Sequence, residues 1–455
     1  MKPSIHRRQL LKTLAGGAAG LALAPLWPRL AQAQSTDPRR FLFAYFEGGW
    51  DQLLALDPRD PSNTNPATHR IEPAYDQFAT GARGIQRVGD LTFGPAVPSA
   101  FLRHAPRMSI VRGINMDTAA HEVGRRYFIT GRVPRGLSAV GSSIAAEVAA
   151  ELEDTTPIPY LSAGVEAYAR DLPSHARPLS VVSLTDLNVA LTPFAELDPA
   201  VLGALMAFQD AEPSCTARRL DGEGLATQLR ESQIRARAYL EGELGRIFDL
   251  QRTDSEMDAI RARYGITQTT NPADPRVLGF AAGQALKSGT SQVASVRVAA
   301  GLDTHSAWAG THPGALESGF EVLGAILDDL EATPSPTSDG SSLLDHTTVV
   351  AFSEFGRTPL LNALAGRDHF LGNSCLVGGP GLVAGKVFGA SANVGMMPVD
   401  FDPVTGAGRP DATQAMRSNG AVLPITPAHV LASVLEAAGA TGILREPSLA
   451  PLLKS

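Results

Sequence analysis

FLFAYFEGGWD, residues 41–51, reads as a strand that ends in a tight turn and a carboxylate. An apolar run this short, 41–46, fits a buried strand of a parallel sheet. Gly48 and Gly49 then allow a sharp turn and close approach to a ligand, and Asp51 follows. Three further runs repeat this plan. SIVRGI (109–114) leads to Asp117 and Thr118, VASVRVA (293–299) to Asp303 and His305, and TTVVAF (347–352) to Glu354. In open α/β sheets, ligands bind beyond the carboxyl ends of the strands. Segments distant in sequence are thus predicted to bring carboxylates, a histidine and a hydroxyl to one edge. That convergence points to a hydrolytic metal site.

The strand candidates form two blocks, roughly 41–184 and 291–400, and the stretch 195–290 between them reads as almost wholly helical. Within it, 229–250 alternates apolar and charged faces at helical spacing, and SEMDAIRARYG ends on Gly265 as a C-cap. This insertion is read either as scaffold or as part of an active-site rim. Residues 315–332 form an amphipathic helix with Leu316, Phe320, Leu323, Leu327 and Leu330 on one stripe. It joins the Asp303 strand to the Glu354 strand as a parallel crossover requires. Thr426 and Pro427 begin a last helix that runs to Gly439.

The first 33 residues read as a targeting segment rather than structure. Arg7 and Arg8 precede an apolar stretch from Leu14 to Leu26, and Ala31-Gln32-Ala33 supplies a cleavage site. That pattern predicts twin-arginine (Tat) export to the periplasm or beyond, with an uncleaved membrane anchor as the other reading. Cleavage would remove five of the 39 basic residues, leaving 34 against 46 acidic ones and a net charge of −12. Such a chain is a poor partner for nucleic acid or anionic membranes. No later segment is apolar for long enough to span a bilayer. Two cysteines, Cys215 and Cys375, allow at most one bridge.

The chemistry-bearing residues each have a plainer reading beside the functional one. Asp303 and His305 lie two positions apart in an extended segment, so both can reach one cation; oxygen and nitrogen ligation suits zinc or manganese. Glu354 is a ligand, or else the partner of Arg357 in an ion pair capping the sheet edge. In the first case Arg357 is left to clamp an anionic substrate oxygen. His369, beside Asp368, is a ligand or a surface histidine, and Asp51 a ligand or an ordinary turn aspartate. Thr118 sits where a helix should start, which suits a cap first and a nucleophile second. His121 is open between base, ligand and buried histidine. Cys215-Thr216-Ala217-Arg218-Arg219 fits a relaxed sulfatase motif, but lies inside the helical insertion, far from Asp51.

GGWD, the DTH after a strand, SEFGRTP and the following DH resemble a secreted bacterial family, domain of unknown function 1501, over nearly the whole chain after residue 33. That family is similar to a branch of the alkaline phosphatase and sulfatase superfamily. The resemblance implies a single α/β domain over 34–455, a three-layer α/β/α sandwich with a mainly parallel central sheet. It also implies one or two divalent ions, zinc, manganese or calcium. Asp51 and Glu354 would serve one ion, Asp303 and His305 the other, with His369 as the late ligand and Thr118 as nucleophile. DTAA at 117–120 is similar to the DSAA around the nucleophile of alkaline phosphatases. Phe355, rather than a histidine, follows Glu354. The expected activity is hydrolysis of small phosphate or sulfate esters; the alternative is a pseudoenzyme that binds or scaffolds in the periplasm.

Overall fold

Successive residues of 41–46 divide between two hydrophobic clusters: Leu42, Ala44 and Phe46 enter one, Phe41, Phe43 and Tyr45 the other. A strand that buries both faces needs cover on both, and this sets the layering. The computed structural model describes residues 37–152, 156–191, 200–201, 203–204, 207, 244–337, 339–410 and 424–454. Its strands are β1 (Arg40–Phe46), β2 (Gln86–Val88), β3 (Leu91–Phe93), β4 (Met108–Asn115), β5 (Tyr160–Ala163) and β6 (Leu179–Val181). They continue with β7 (Val293–Ala299), β8 (Thr347–Phe352), β9 (Gly356–Arg357), β10 (His369–Phe370), β11 (Gly372–Gly378) and β12 (Val387–Phe388). Eight of them build one sheet in the order β12-β4-β11-β8-β1-β7-β5-β6. Its pairings are parallel except those of β11, which runs against β4 and β8.

The predicted runs coincide closely with β1, β4, β7 and β8. Their register explains the shared edge. Tyr45 pairs with Phe352 on one side and Phe46 with Ala299 on the other, so the segments beginning at Glu47, Ala300 and Ser353 leave the sheet together.

The helices are α1 (His121–Thr130), α2 (Ile144–Glu151), α3 (Leu184–Leu191), α4 (Leu244–Ile247), α5 (Ser255–Tyr264), α6 (Pro275–Lys287), α7 (Trp308–Glu331) and α8 (Pro427–Ala437). Residues of α1, α2 and α8 pack in one cluster, those of α3, α5, α6 and α7 in the other, so helices cover both sides of the sheet. Thr426 is the N-cap of α8, and Gly265 closes α5 in the left-handed conformation, both as the sequence predicts. The crossover helix α7 buries the whole predicted stripe from Leu316 to Leu330 but starts earlier, at Trp308. Phe46, Trp50 and Phe320 meet beneath the site, with ring centroids 5.1 Å and 4.9 Å apart.

The predicted signal segment, Cys215 and residues 229–243 of the predicted helical stretch lie outside the described residues. Cys375 is buried in β11. Among the described residues, no helix is long and apolar enough to cross a membrane.

Candidate metal centre

Gly48 and Gly49 make the turn after β1 with φ values of +112° and +81°. A Cβ on Gly48 would lie 2.6 Å from the Asp303 nitrogen, so only glycine lets the β1 and β7 extensions meet this closely. The turn is then laced to the segment after β8. Gly48 N–H donates to Glu354 Oε1 at 2.9 Å, and Trp50 N–H to Ser353 Oγ at 3.1 Å. Arg357 donates from Nε to the Gly49 carbonyl and from Nη1 to the Arg367 carbonyl, both at 3.0 Å. Its Nη2 bonds the Gly48 carbonyl and meets Asp303 Oδ1 at 2.6 Å.

Three imidazoles gather around Asp303. From Asp303 Oδ1, His305 Nε2 lies 3.1 Å away and His369 Nε2 3.2 Å; His121 Nε2 lies 3.4 Å from Oδ2. Each ring is steered from its far side. His121 Nδ1 meets Glu354 Oε1 at 2.8 Å, His305 Nδ1 meets Asp368 Oδ1 at 2.7 Å, and His369 Nδ1 meets the Ala119 carbonyl at 2.6 Å. An acceptor at Nδ1 draws the proton there and leaves the Nε2 lone pair facing inward, the arrangement usual for metal-bound histidine. Two consequences are visible. His305 Nε2 and His369 Nε2 stand 3.0 Å apart, a repulsive contact between lone pairs unless a proton or cation lies between them. His121 Nε2 is buried with no hydrogen-bond partner. Ligand atoms of His121, Asp303 and His369 all fall within 4.8 Å of one another.

Burial pushes the Asp303 carboxyl up, but the hydrogen bond and the charge of Arg357 outweigh it and hold the group at about 2. The Glu354 hydrogen bond raises His121 against the effect of burial, while burial lowers His369. Glu354, itself buried, stays below its usual range because hydrogen bonds from His121 and Ser353 offset desolvation.

The other predicted residues take different places. Both Glu354 oxygens are engaged within the protein, Oε2 by Ser353 Oγ at 2.9 Å, so Glu354 orients His121. It makes no ion pair with Arg357, whose charge goes to Asp303. Arg357 is fully buried with its donors committed to carbonyls, unlike the substrate clamp that the sequence proposes. Asp51 is sealed in the interior: its Oδ2 meets Arg367 Nε at 2.8 Å and its Oδ1 accepts the Leu53 N–H. Burial raises its carboxyl despite the Arg367 charge.

Thr118 is not the helix cap. α1 begins at His121 with Ala120 in the cap position, and Thr118 Oγ1 accepts the Ala120 N–H at 3.2 Å. Phe355 packs beneath His121 and His369, with centroids 4.8 Å and 4.4 Å away. Sequence reading passes over His312, whose ring accepts the Asp51 N–H at 3.0 Å, and over Arg367 as the partner of Asp51. Their signal is only that a buried Asp51 must have partners.

A family model described as "Protein of unknown function (DUF1501)" matches residues 38–405. The chain belongs to the DUF1501 family. No curated protein matches it. Among solved structures it is similar to one described as "Crystal structure of Ps i-CgsB in complex with k-i-k-neocarrahexaose". The identity is 9%, the TM-score 0.37, and the match covers 89% of this chain and 72% of that one. A likeness at that level carries no argument about function.

Proposed function

We propose that this DUF1501 protein is a Tat-exported, periplasmic or secreted hydrolase of phosphate or sulfate esters that depends on a divalent metal. The observation that carries the reading is the convergence of three imidazole Nε2 atoms on Asp303, each ring held from behind by a carboxylate or carbonyl. Three nitrogens and one carboxylate suit zinc or manganese, whereas calcium takes oxygen ligands. Asp303, His305 and His369 would hold the ion with His121. Such an ion, when bound, neutralises ester oxygens and lowers the pKa of an attacking hydroxyl or water. Glu354 and Asp368 keep the lone pairs of His121 and His305 turned inward, and Arg357 fixes Asp303 in place. The central parallel sheet with helices on both faces is compatible with an alkaline-phosphatase-like sandwich.

A non-catalytic binding role is the second reading. It is favoured by the hydroxyl of Thr118, which is turned into a local backbone contact rather than a helix cap. Elemental analysis of protein purified without chelator, beside His305→Ala, tests the first reading. About one equivalent of zinc or manganese, lost in the variant, is the expected result. Aryl phosphates and sulfates assayed with added zinc or manganese should then turn over. Absence of metal from both proteins would sink the hydrolase; bound metal with no turnover of any ester would leave the binding role.

A further inference from the structure

Leu302 and Thr304 are buried, whereas Asp303 and His305, on either side of Thr304, are exposed. Alternation of this kind turns both candidate ligands outward only while the residue between them is held inward. Thr304 is held by His312, a fully buried residue of α7, with Oγ1 and Nδ1 2.9 Å apart. The opposite ring nitrogen, Nε2, accepts the Asp51 N–H at 3.0 Å. One imidazole thus joins the extension of β7, which carries Asp303 and His305, to the turn after β1.

The direction of each bond follows from its donor. A backbone N–H can only donate, so Nε2 carries no proton and the proton of the neutral ring sits on Nδ1. Burial, reinforced by the charges of Arg357 and Arg367, lowers the ring well below the usual histidine range and keeps it neutral. Nδ1–H is therefore directed at Thr304 Oγ1, with Leu302 as a backbone acceptor beside it. Two other bonds tie the same segment. The Thr304 carbonyl accepts the Arg367 N–H at 3.0 Å, and the His305 carbonyl accepts from Asn362 Nδ2 at 2.9 Å. Both act on the main chain and fix its path; His312 grips the side chain and fixes its rotation.

We infer that His312 is a positioning residue of the metal centre, which keeps Asp303 and His305 turned together toward the ion by holding Thr304 inward. What the two side chains bind rests on the metal reading; their orientation is a property of the chain itself.

Two amides separate this role from plain support of the core. Gln places its oxygen near the position of Nε2, so it keeps the Asp51 N–H bonded and gives up Thr304. Asn places its nitrogen near Nδ1, so it keeps Thr304 and leaves the Asp51 N–H without a partner. Zinc affinity, read with a competitive chelator, should fall about 10- to 100-fold in His312→Gln. His312→Asn should rescue most of that loss although its Tm is the lower of the two. Thr304→Val should repeat the loss, and Thr304→Ser should restore binding. Wild-type affinity in His312→Gln or Thr304→Val would overturn the inference, as would losses in the two His312 variants that simply follow Tm. If neither His312 variant folds, the Thr304 pair decides. Isotope-edited NMR of histidine-labelled, metal-free protein gives a readout that needs no ion. Wild-type His305 is expected as a single Nδ1–H tautomer facing Asp368, and as a mixture in His312→Gln or Thr304→Val. An unchanged tautomer in both variants refutes the positioning role. If the wild type binds no zinc, the hydrolase reading falls and this signal alone decides. Zinc bound equally by wild type and variants removes the positioning role alone.

Discussion

Asp51 and Asp303 each follow an apolar strand of the same parallel sheet by a few residues, and β1 and β7 are hydrogen-bonded neighbours. Their surroundings nevertheless differ in kind. Asp51 is 1% exposed and faces the equally buried Arg367, whose guanidinium lies 4.6 Å from the Trp308 ring centre. Asp303 is 48% exposed, and its neighbours are one fixed guanidinium and three imidazoles whose free nitrogens point at it. A carboxylate closed off with a permanent cation is part of the scaffold. One left open among three imidazoles has unused ligand capacity, and it is that unused capacity that marks a site.

The comparison is broken most easily at Arg367. Arg367→Met would leave Asp51 buried without its counterion, and a loss of about 3–5 kcal/mol in unfolding free energy is expected by chemical denaturation. Asp303→Asn, which keeps an acceptor oxygen for Arg357, should change stability by less than about 1 kcal/mol. Similar losses in the two variants would erase the distinction. Metal content should show the reverse order. Asp303→Ala and His369→Ala are expected to lose the ion altogether, while a folded Asp51→Asn retains it.

A finer test lies one layer out. Glu354→Gln and Asp368→Asn should each weaken metal affinity about 10- to 100-fold, because they loosen the orientation of His121 and His305 without removing a ligand. A competitive zinc chelator reads this directly, and unchanged affinity in both would show that the rings need no steering.

The smallest effect is in acid. The Asp303 carboxyl is held at about 2, below its unfolded value. Its contribution to the stability of metal-free protein is therefore complete above about pH 4 and fades as pH falls toward 2. Asp303→Asn should flatten that slope slightly, and an unaltered acid profile would mean that Arg357 does not hold the carboxylate in solution.

Legibility followed the range of the interaction concerned. The strands after which ligands emerge were readable because apolar runs bounded by glycine have few alternatives, and β7 and β8 match their predicted runs residue for residue. The pairing of Asp303 with His305 was readable because two positions along an extended chain leave side chains on one side. The cap on α1 misled because DTAA has a hydroxyl at a favourable spacing, but Asp117 adopts φ +52° and delays the helix to His121. Partners distant in sequence were assigned less well. Asp368 steers His305 and not its neighbour His369, and Arg367 answers Asp51 from 316 positions away.

By itself, the sequence determined a mostly parallel α/β sheet with glycine-led turns and acidic or histidine residues at the strand ends, since local apolar patterning and backbone freedom decide these. Only the tertiary structure decided which carboxylates are sealed and which remain open. That depends on where each guanidinium comes to rest, and a guanidinium goes to whichever buried acceptors the packed fold leaves unpaired.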